Sequence, residues 1–166
     1  MKNSQISVGV LTVSDRSARN ERKDLSGPEI INFLEANEFN AIRYQIVPDE
    51  KKAITDAYST WEKDQVNVIF TTGGTGFAPR DITPEATLSF IEKEAPGISE
   101  YLRFKSFSVT PHASLSRGIS GIKGKTLIIN LPGSPKASLE CMQYLLPILP
   151  HAVELLIEAP DSEINH

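Results

Sequence analysis

The sequence predicts an α/β fold of three layers, α/β/α, built on a mostly parallel sheet with one antiparallel edge strand or hairpin. Three observations predict it. Apolar, β-branched runs alternate with helical periodicity through the first half of the chain, which implies parallel strands joined by right-handed crossovers. These runs are nearly continuous in apolar character, as strands covered on both faces should be. Late in the chain, two short runs flank Lys123-Gly124-Lys125, the spacing of a hairpin.

The first strand is residues 6–13, containing Ile6, Val8, Val10, Leu11 and Val13, and it ends in Ser14-Asp15-Arg16-Ser17. A polar, basic loop runs to about Ser26. Pro28 then opens a helix on Ile30, Ile31, Phe33 and Leu34, with Ser26 as its cap. Residues 41–47 are the second strand, closed by Pro48-Asp49-Glu50, and Ala53, Ile54, Ala57, Tyr58 and Trp61 mark one face of the following helix. The third strand, 66–70, empties into Thr71-Thr72-Gly73-Gly74-Thr75-Gly76. Thr83-Pro84-Glu85-Ala86 starts the next helix with Thr83 at the cap and Pro84 in the first turn; Leu88, Phe90 and Ile91 continue it until Pro96-Gly97 breaks it. Residues 98–107 form another helix, with Ile98, Tyr101, Leu102 and Phe107 inward. The hairpin strands are 119–122 and 126–131, and the second ends in Pro132-Gly133-Ser134-Pro135 before a helix over 136–146. A last helix, 148–157, carries Leu149, Ala152, Val153 and Leu156, and residues 160–166 are a polar tail.

At 166 residues, with no repeat and no linker, the chain reads as one domain over 1–166. Apolar residues at 40% and charged residues at 23% are ordinary for a soluble globular protein. A net charge of −4 without a long Lys/Arg run argues against nucleic-acid binding, so any anion site must be local. No apolar run reaches the roughly 18–20 residues of a bilayer span, and the polar start carries no secretory signal, so no membrane partner is expected. Cys141, the single cysteine, excludes an internal disulfide and suits a reducing, cytoplasmic setting; it is expected to be buried and inert.

In parallel sheets, ligands bind beyond the carboxyl ends of the strands. Four loops share that rim: 14–17, 48–50, 73–81 and 132–135. The glycine loop reads as a phosphate cradle or as a tight turn, since glycine permits both. Asp49 and Asp81 follow strands and so face the same rim. Each is either a Mg²⁺ ligand beside the phosphates or a helix N-terminal acid opposing the macrodipole. The loop lacks the Gly-Lys pair of a Walker A motif and is not Gly-x-Gly-x-x-Gly. Arg80 and Arg117 are either phosphate cations or surface residues. His112 and His151 have no acidic or cysteine neighbours at ligand spacing, which argues against a transition metal. No Gly-x-Ser-x-Gly elbow is present for a serine hydrolase.

Thr71-Thr72-Gly73-Gly74-Thr75-Gly76, Ala78-Pro79-Arg80-Asp81-Ile82-Thr83-Pro84-Glu85-Ala86-Thr87, Leu115-Ser116-Arg117 and Leu131-Pro132-Gly133-Ser134 closely resemble the molybdopterin adenylyltransferase family. This is the Mog/MoaB type, which is also the fold of the G domains of gephyrin and of the plant molybdenum-insertion protein. The resemblance runs from Leu11-Thr12-Val13-Ser14-Asp15 through Asp24-Leu25-Ser26-Gly27-Pro28 to the last helix. It implies a homotrimer that transfers AMP from ATP, with Mg²⁺, to the terminal phosphate of molybdopterin. Pyrophosphate is released, and adenylyl-molybdopterin passes to a molybdenum insertase. Matched position by position, Asp49 and Asp81 are the catalytic and Mg²⁺-binding residues. Thr72, Gly73, Gly74, Thr75 and Gly76 surround the phosphates, and Ser14, Asp15, Ser116, Arg117, Pro132, Gly133 and Ser134 line the pterin and nucleotide pocket. Two alternatives stay open: a non-catalytic molybdopterin-binding scaffold, and a MoaB-like paralogue in the same pathway.

Overall fold

A computed structural model describes residues 1–157, so the polar tail expected at 160–166 lies outside the described residues. Six strands form one sheet: β1 (Ser7–Val13), β2 (Asn40–Val47), β3 (Val68–Thr72), β4 (Lys93–Glu94), β5 (Ser120–Lys123) and β6 (Thr126–Leu131), in the spatial order β2-β1-β3-β6-β5-β4. The four strands β2, β1, β3 and β6 are mutually parallel, while β5 runs antiparallel to β6 and β4 antiparallel to β5. Among the described residues seven helices accompany them: α1 (Asp15–Ala18), α2 (Ser26–Ala36), α3 (Lys51–Lys63), α4 (Thr83–Phe90) and α5 (Pro96–Phe107) between strands, and α6 (Pro135–Leu145) and α7 (Leu149–Leu156) after β6. Short 3-10 turns lie at Asn3–Gln5 and Pro111–Leu115.

The alternation of side chains along the strands divides the core in two. Val8, Val10, Phe70 and Ile129 face α2, α5, α6 and α7, where Ile30, Leu34, Leu102, Met142, Leu145 and Val153 meet them. Leu11, Ile69 and Ile128 face the other way onto α3 and α4, against Ile54, Tyr58, Trp61 and Ala86. The expected three layers follow. A Cβ on Gly9 would lie 2.6 Å from the Trp61 ring, so the indole packs directly on the backbone of β1.

Several local expectations are corrected. β3 covers 68–72 rather than 66–70, because the β-branched Thr71 and Thr72 continue the ladder beside Leu11, Thr12, Asn130 and Leu131. Thr72 therefore belongs to the strand, and the loop begins at Gly73. Ser26 is inside α2 and does not cap it; the Asp24 carboxylate accepts the N–H groups of Ser26 and Gly27 at 3.0 and 3.3 Å. Thr83 is likewise the first helical residue of α4, after Ile82. Pro96 opens α5 rather than breaking α4, since its missing N–H costs nothing in a first turn. Phe107, expected inward, ends α5 with 57% of its surface exposed, and Leu102 with Ser99 takes the inner face. The sheet also carries two antiparallel strands at one side, with β4 outermost.

Candidate active site

The rim at the carboxyl ends of β1, β2, β3 and β6 is drawn together by glycine. Gly73 has φ +98°, and a Cβ there would lie 2.3 Å from the Val13 carbonyl oxygen at the end of β1. Gly74, with φ +64°, would put a Cβ 2.3 Å from Thr83 Oγ1 and 3.1 Å from Asp49 Oδ1. Only glycine fits either place. Across the rim, a Cβ on Gly133 would stand 3.2 Å from Gly73 Cα, so the loops after β3 and β6 touch backbone to backbone. Thr83 secures the bend: its hydroxyl donates to the Gly73 carbonyl at 2.9 Å and its N–H to the Gly74 carbonyl at 3.0 Å. Thr72 Oγ1 donates to the Pro132 carbonyl at 2.7 Å. With the carbonyls turned inward, the N–H groups of Gly74, Thr75 and Gly76 donate to no acceptor among the described residues. They remain available to an anion.

Asp49, just past β2, is half-buried and exchanges hydrogen bonds with Asp15. Asp15 N–H donates to Asp49 Oδ2 at 2.8 Å, and Asp49 N–H donates to Asp15 Oδ1 at 3.0 Å. Arg80 grips Asp15 with both arms, Nε and Nη2 each at 2.9 Å. Burial raises the Asp49 carboxyl above the usual range, the Asp15 N–H opposes that, and the charges of Asp15 and Asp81 add to it. Asp15 moves the other way, held down by its Arg80 hydrogen bonds.

Asp81 closes a small turn, its N–H donating to Ala78 O at 2.9 Å and its Oδ2 accepting Ala78 N–H at 3.0 Å. Arg117 holds the same turn from behind: Nε donates to Gly76 O at 2.7 Å, Nη2 to Asp81 O at 2.6 Å, and Nη1 pairs with Glu85 in the first turn of α4. Its own N–H donates to Thr75 O at 2.9 Å.

Two cavities open on this rim. One, of about 680 Å³, is lined by Ser14, Asp24, Asp49, Thr72 and Gly73, with Arg22 and Lys23 at its margin. The other, of about 480 Å³, is lined by Thr75, Gly76, Leu102, His112, Ser116 and Pro132. Gly74, Asp81, Gly133 and Ser134 belong to both. Of the residues that the resemblance assigns to the phosphates and the pocket, Asp15 and Arg117 border neither cavity, and Arg80 lies outside both as well.

Two polar clusters were not anticipated. Asp24 is buried and accepts from Thr12 Oγ1 at 2.6 Å and Tyr44 OH at 2.7 Å, besides the two N–H groups of α2. Ser26 Oγ then reaches the Gly133 carbonyl at 2.8 Å, tying α2 to the loop after β6. The pattern Asp24-x-Ser26-Gly27 before a helix carried a local signal, an aspartate bonding the backbone two residues on. Asn130 donates to Thr71 Oγ1 and Thr87 Oγ1, each at 3.0 Å, joining β6, β3 and α4; nothing local foretells it.

The carboxylate set suits a hard cation. Asp49 Oδ1 and Asp81 Oδ1 accept no hydrogen bond among the described residues, and Mg²⁺ takes one or two carboxylates with phosphate oxygens and water completing its shell. No cluster of three or more His, Cys, Asp or Glu able to hold a metal occurs among the described residues.

The profile of the family described as probable molybdopterin binding domain matches residues 9–151. The chain is 48% identical over 153 residues to molybdenum cofactor synthesis protein cinnamon of Drosophila melanogaster, a match covering 91% of this chain and 26% of cinnamon. It thus spans about a quarter of that relative. With the molybdopterin adenylyltransferase of Helicobacter pylori strain J99 it shares 42% identity over 155 residues, covering 92% of this chain and 88% of that protein. The crystal structure of MoaB from Thermus thermophilus, described as a molybdopterin biosynthesis enzyme, matches with a TM-score of 0.87 at 44% identity, covering 92% of this chain and 97% of that one.

Proposed function

Since the chain belongs to the molybdopterin-binding domain family, we propose that it is a molybdopterin adenylyltransferase of molybdenum cofactor biosynthesis. In this proposal it transfers AMP from ATP to the terminal phosphate of molybdopterin, yielding adenylyl-molybdopterin and pyrophosphate. The observation that carries the proposal is the meeting of two cavities at Gly74, Asp81, Gly133 and Ser134. Two substrates, each with its ring system in one cavity, would bring their phosphates face to face there.

The reaction forms a bond from a molybdopterin phosphate oxygen to the α-phosphorus and breaks the α–β bridge, whose electron pair leaves on pyrophosphate. It calls for alignment and charge neutralisation, not a protein nucleophile. The N–H groups of Gly74, Thr75 and Gly76 offer hydrogen bonds to phosphate oxygens. Asp49 and Asp81 would hold Mg²⁺, which neutralises phosphate charge when bound. The charges of Asp15 and Asp81 bear on Asp49, and a cation bound there would relieve what burial and those charges impose on it. Cys141 is not a rival nucleophile: it is buried, and burial pushes its thiol up to about 11. Assembly as a homotrimer and transfer of the product to a molybdenum insertase belong to the same proposal. No described helix is long and apolar enough to cross a membrane.

The direct test is incubation with molybdopterin and MgATP labelled at the α-phosphate. Labelled adenylyl-molybdopterin should appear with one pyrophosphate per turnover; no labelled product from active molybdopterin defeats the proposal.

A further inference from the structure

Asp15 and Arg117 sit among the residues that resemblance assigns to the substrate pocket, yet neither borders either of the two cavities on the rim. Their hydrogen bonds lead elsewhere. We propose that they are positioning residues, one for each of the two carboxylates: Asp15 sets Asp49, and Arg117 sets Asp81. This inference rests on the adenylyltransferase proposal only for its kinetic consequences.

Asp49 lies between β2 and α3, where Pro48 supplies no N–H and the backbone has left the ladder. Its orientation is fixed by the reciprocal pair with Asp15, at 2.8 and 3.0 Å. That pair needs Asp15 itself to stay in place beside a second carboxylate. Arg80 provides this through a two-armed grip on Asp15 at 2.9 Å per arm, and Ser14 caps α1 by accepting the Ser17 N–H at 3.2 Å. The chain of contacts runs Arg80, Asp15, Asp49. Arg80 belongs to the glycine loop, so the brace also links the loop after β3 to those after β1 and β2.

Asp81 has no regular structure around it, only the turn it forms with Ala78. A planar guanidinium is the one side chain that can serve several acceptors at fixed angles. Arg117 spends its fork on Gly76 O, Asp81 O and Glu85, so the carbonyl of Asp81 is anchored to the first turn of α4 and the carboxylate projects from a fixed point. Lysine at 117 would keep the charge but could not hold two carbonyls and a carboxylate in one plane.

The test uses Asp15→Asn and Arg117→Lys as mild variants and Asp15→Ala and Arg117→Ala as severe ones, each checked for native circular dichroism. Two readouts are taken on each folded variant. Amide hydrogen exchange without substrate or Mg²⁺ should quicken at least about tenfold at 47–50 for Asp15 variants and at 76–82 for Arg117 variants. In steady state, kcat should fall about 10- to 100-fold, as misplacement by an ångström can cause, while the KM of each substrate stays within about threefold. A raised KM for one substrate with kcat retained would assign direct substrate contact and overturn the proposal. Unchanged exchange overturns it as well, whatever happens to kcat. If the wild-type protein proves inactive, the exchange readout still decides whether these residues brace the two loops, so the two proposals fail separately.

Discussion

Replacing Gly73 by alanine tests how the rim is assembled. At φ +98° an L-residue pays about 1–2 kcal/mol for the left-handed backbone alone. The new methyl would also lie 2.3 Å from the Val13 carbonyl oxygen, and that oxygen belongs to β1, which is hydrogen-bonded to neighbours on both sides. Relief requires a main-chain shift of the kind that overpacking imposes, typically about 1–3 kcal/mol. Together these predict a loss of about 2–5 kcal/mol, a large share of the roughly 5–15 kcal/mol that holds a domain folded. In urea, taking roughly 2 kcal/mol per molar, the midpoint should drop by about 1 M or more. Gly97→Ala is the matched control. Gly97 lies in α5, and a Cβ there meets nothing within 4 Å, so its variant should match wild type or gain up to about 1 kcal/mol. If the two variants unfold at the same urea concentration, the claim that Gly73 is required by backbone contact with β1 is wrong.

Asp49→Asn and Asp81→Asn should each lower adenylyl transfer by at least about 100-fold, measured by product formation at saturating MgATP, while the protein keeps its wild-type circular dichroism. Cys141 should react with a thiol reagent at pH 8 far more slowly than in the urea-unfolded chain, followed by absorbance, because only 2% of its surface is exposed, where it borders the smaller cavity. Its thiol is raised from 9.0 to about 11, so the unfolded chain releases this proton first, and stability should decline as pH climbs between those values. Leu102→Ala should cost about 2–5 kcal/mol because Leu102 is 6% exposed, whereas Phe107→Ser at the exposed end of α5 should change stability by less than about 0.5 kcal/mol; thermal denaturation separates the two.

The strand and helix alternation was legible because each element carries its own periodicity, and the glycine loop because Gly73 and Gly74 follow an apolar strand. The misses have a common physical cause. β4 is two exposed residues, Lys93 and Glu94, held by pairing with β5 rather than by any pattern of their own. Arg117 reads from its residue type as either a phosphate cation or a surface residue, and its carbonyl partners, 36 and 41 residues away in sequence, leave no local mark. Ser26 resembled a cap, but its hydroxyl bonds Gly133, 107 residues on, while Asp24 performs the capping. Local pattern shows which residues can serve such contacts. Only the folded topology decides which of them do.

Two acidic residues of one cavity show what kind of site this is. Asp24 is 9% exposed, and the fold surrounds it with four donors, from Thr12, Tyr44, Ser26 and Gly27. That is how a structural carboxylate is accommodated, since an unsatisfied buried charge is severely destabilising. Asp49 borders the same cavity but is treated differently. It receives the Asp15 N–H, while Oδ1 is left facing Gly74 and the charges of Asp15 and Asp81 press on it. Arg80 makes its hydrogen bonds to Asp15 and acts on Asp49 only through its charge, which opposes the rise. In the proposed reaction, a cation held by Asp49 and Asp81 would offset the charge that Asp15 and Asp81 place on Asp49. Gly74 leaves Asp49 Oδ1 uncrowded: a Cβ on Gly74 would stand 3.1 Å from that oxygen.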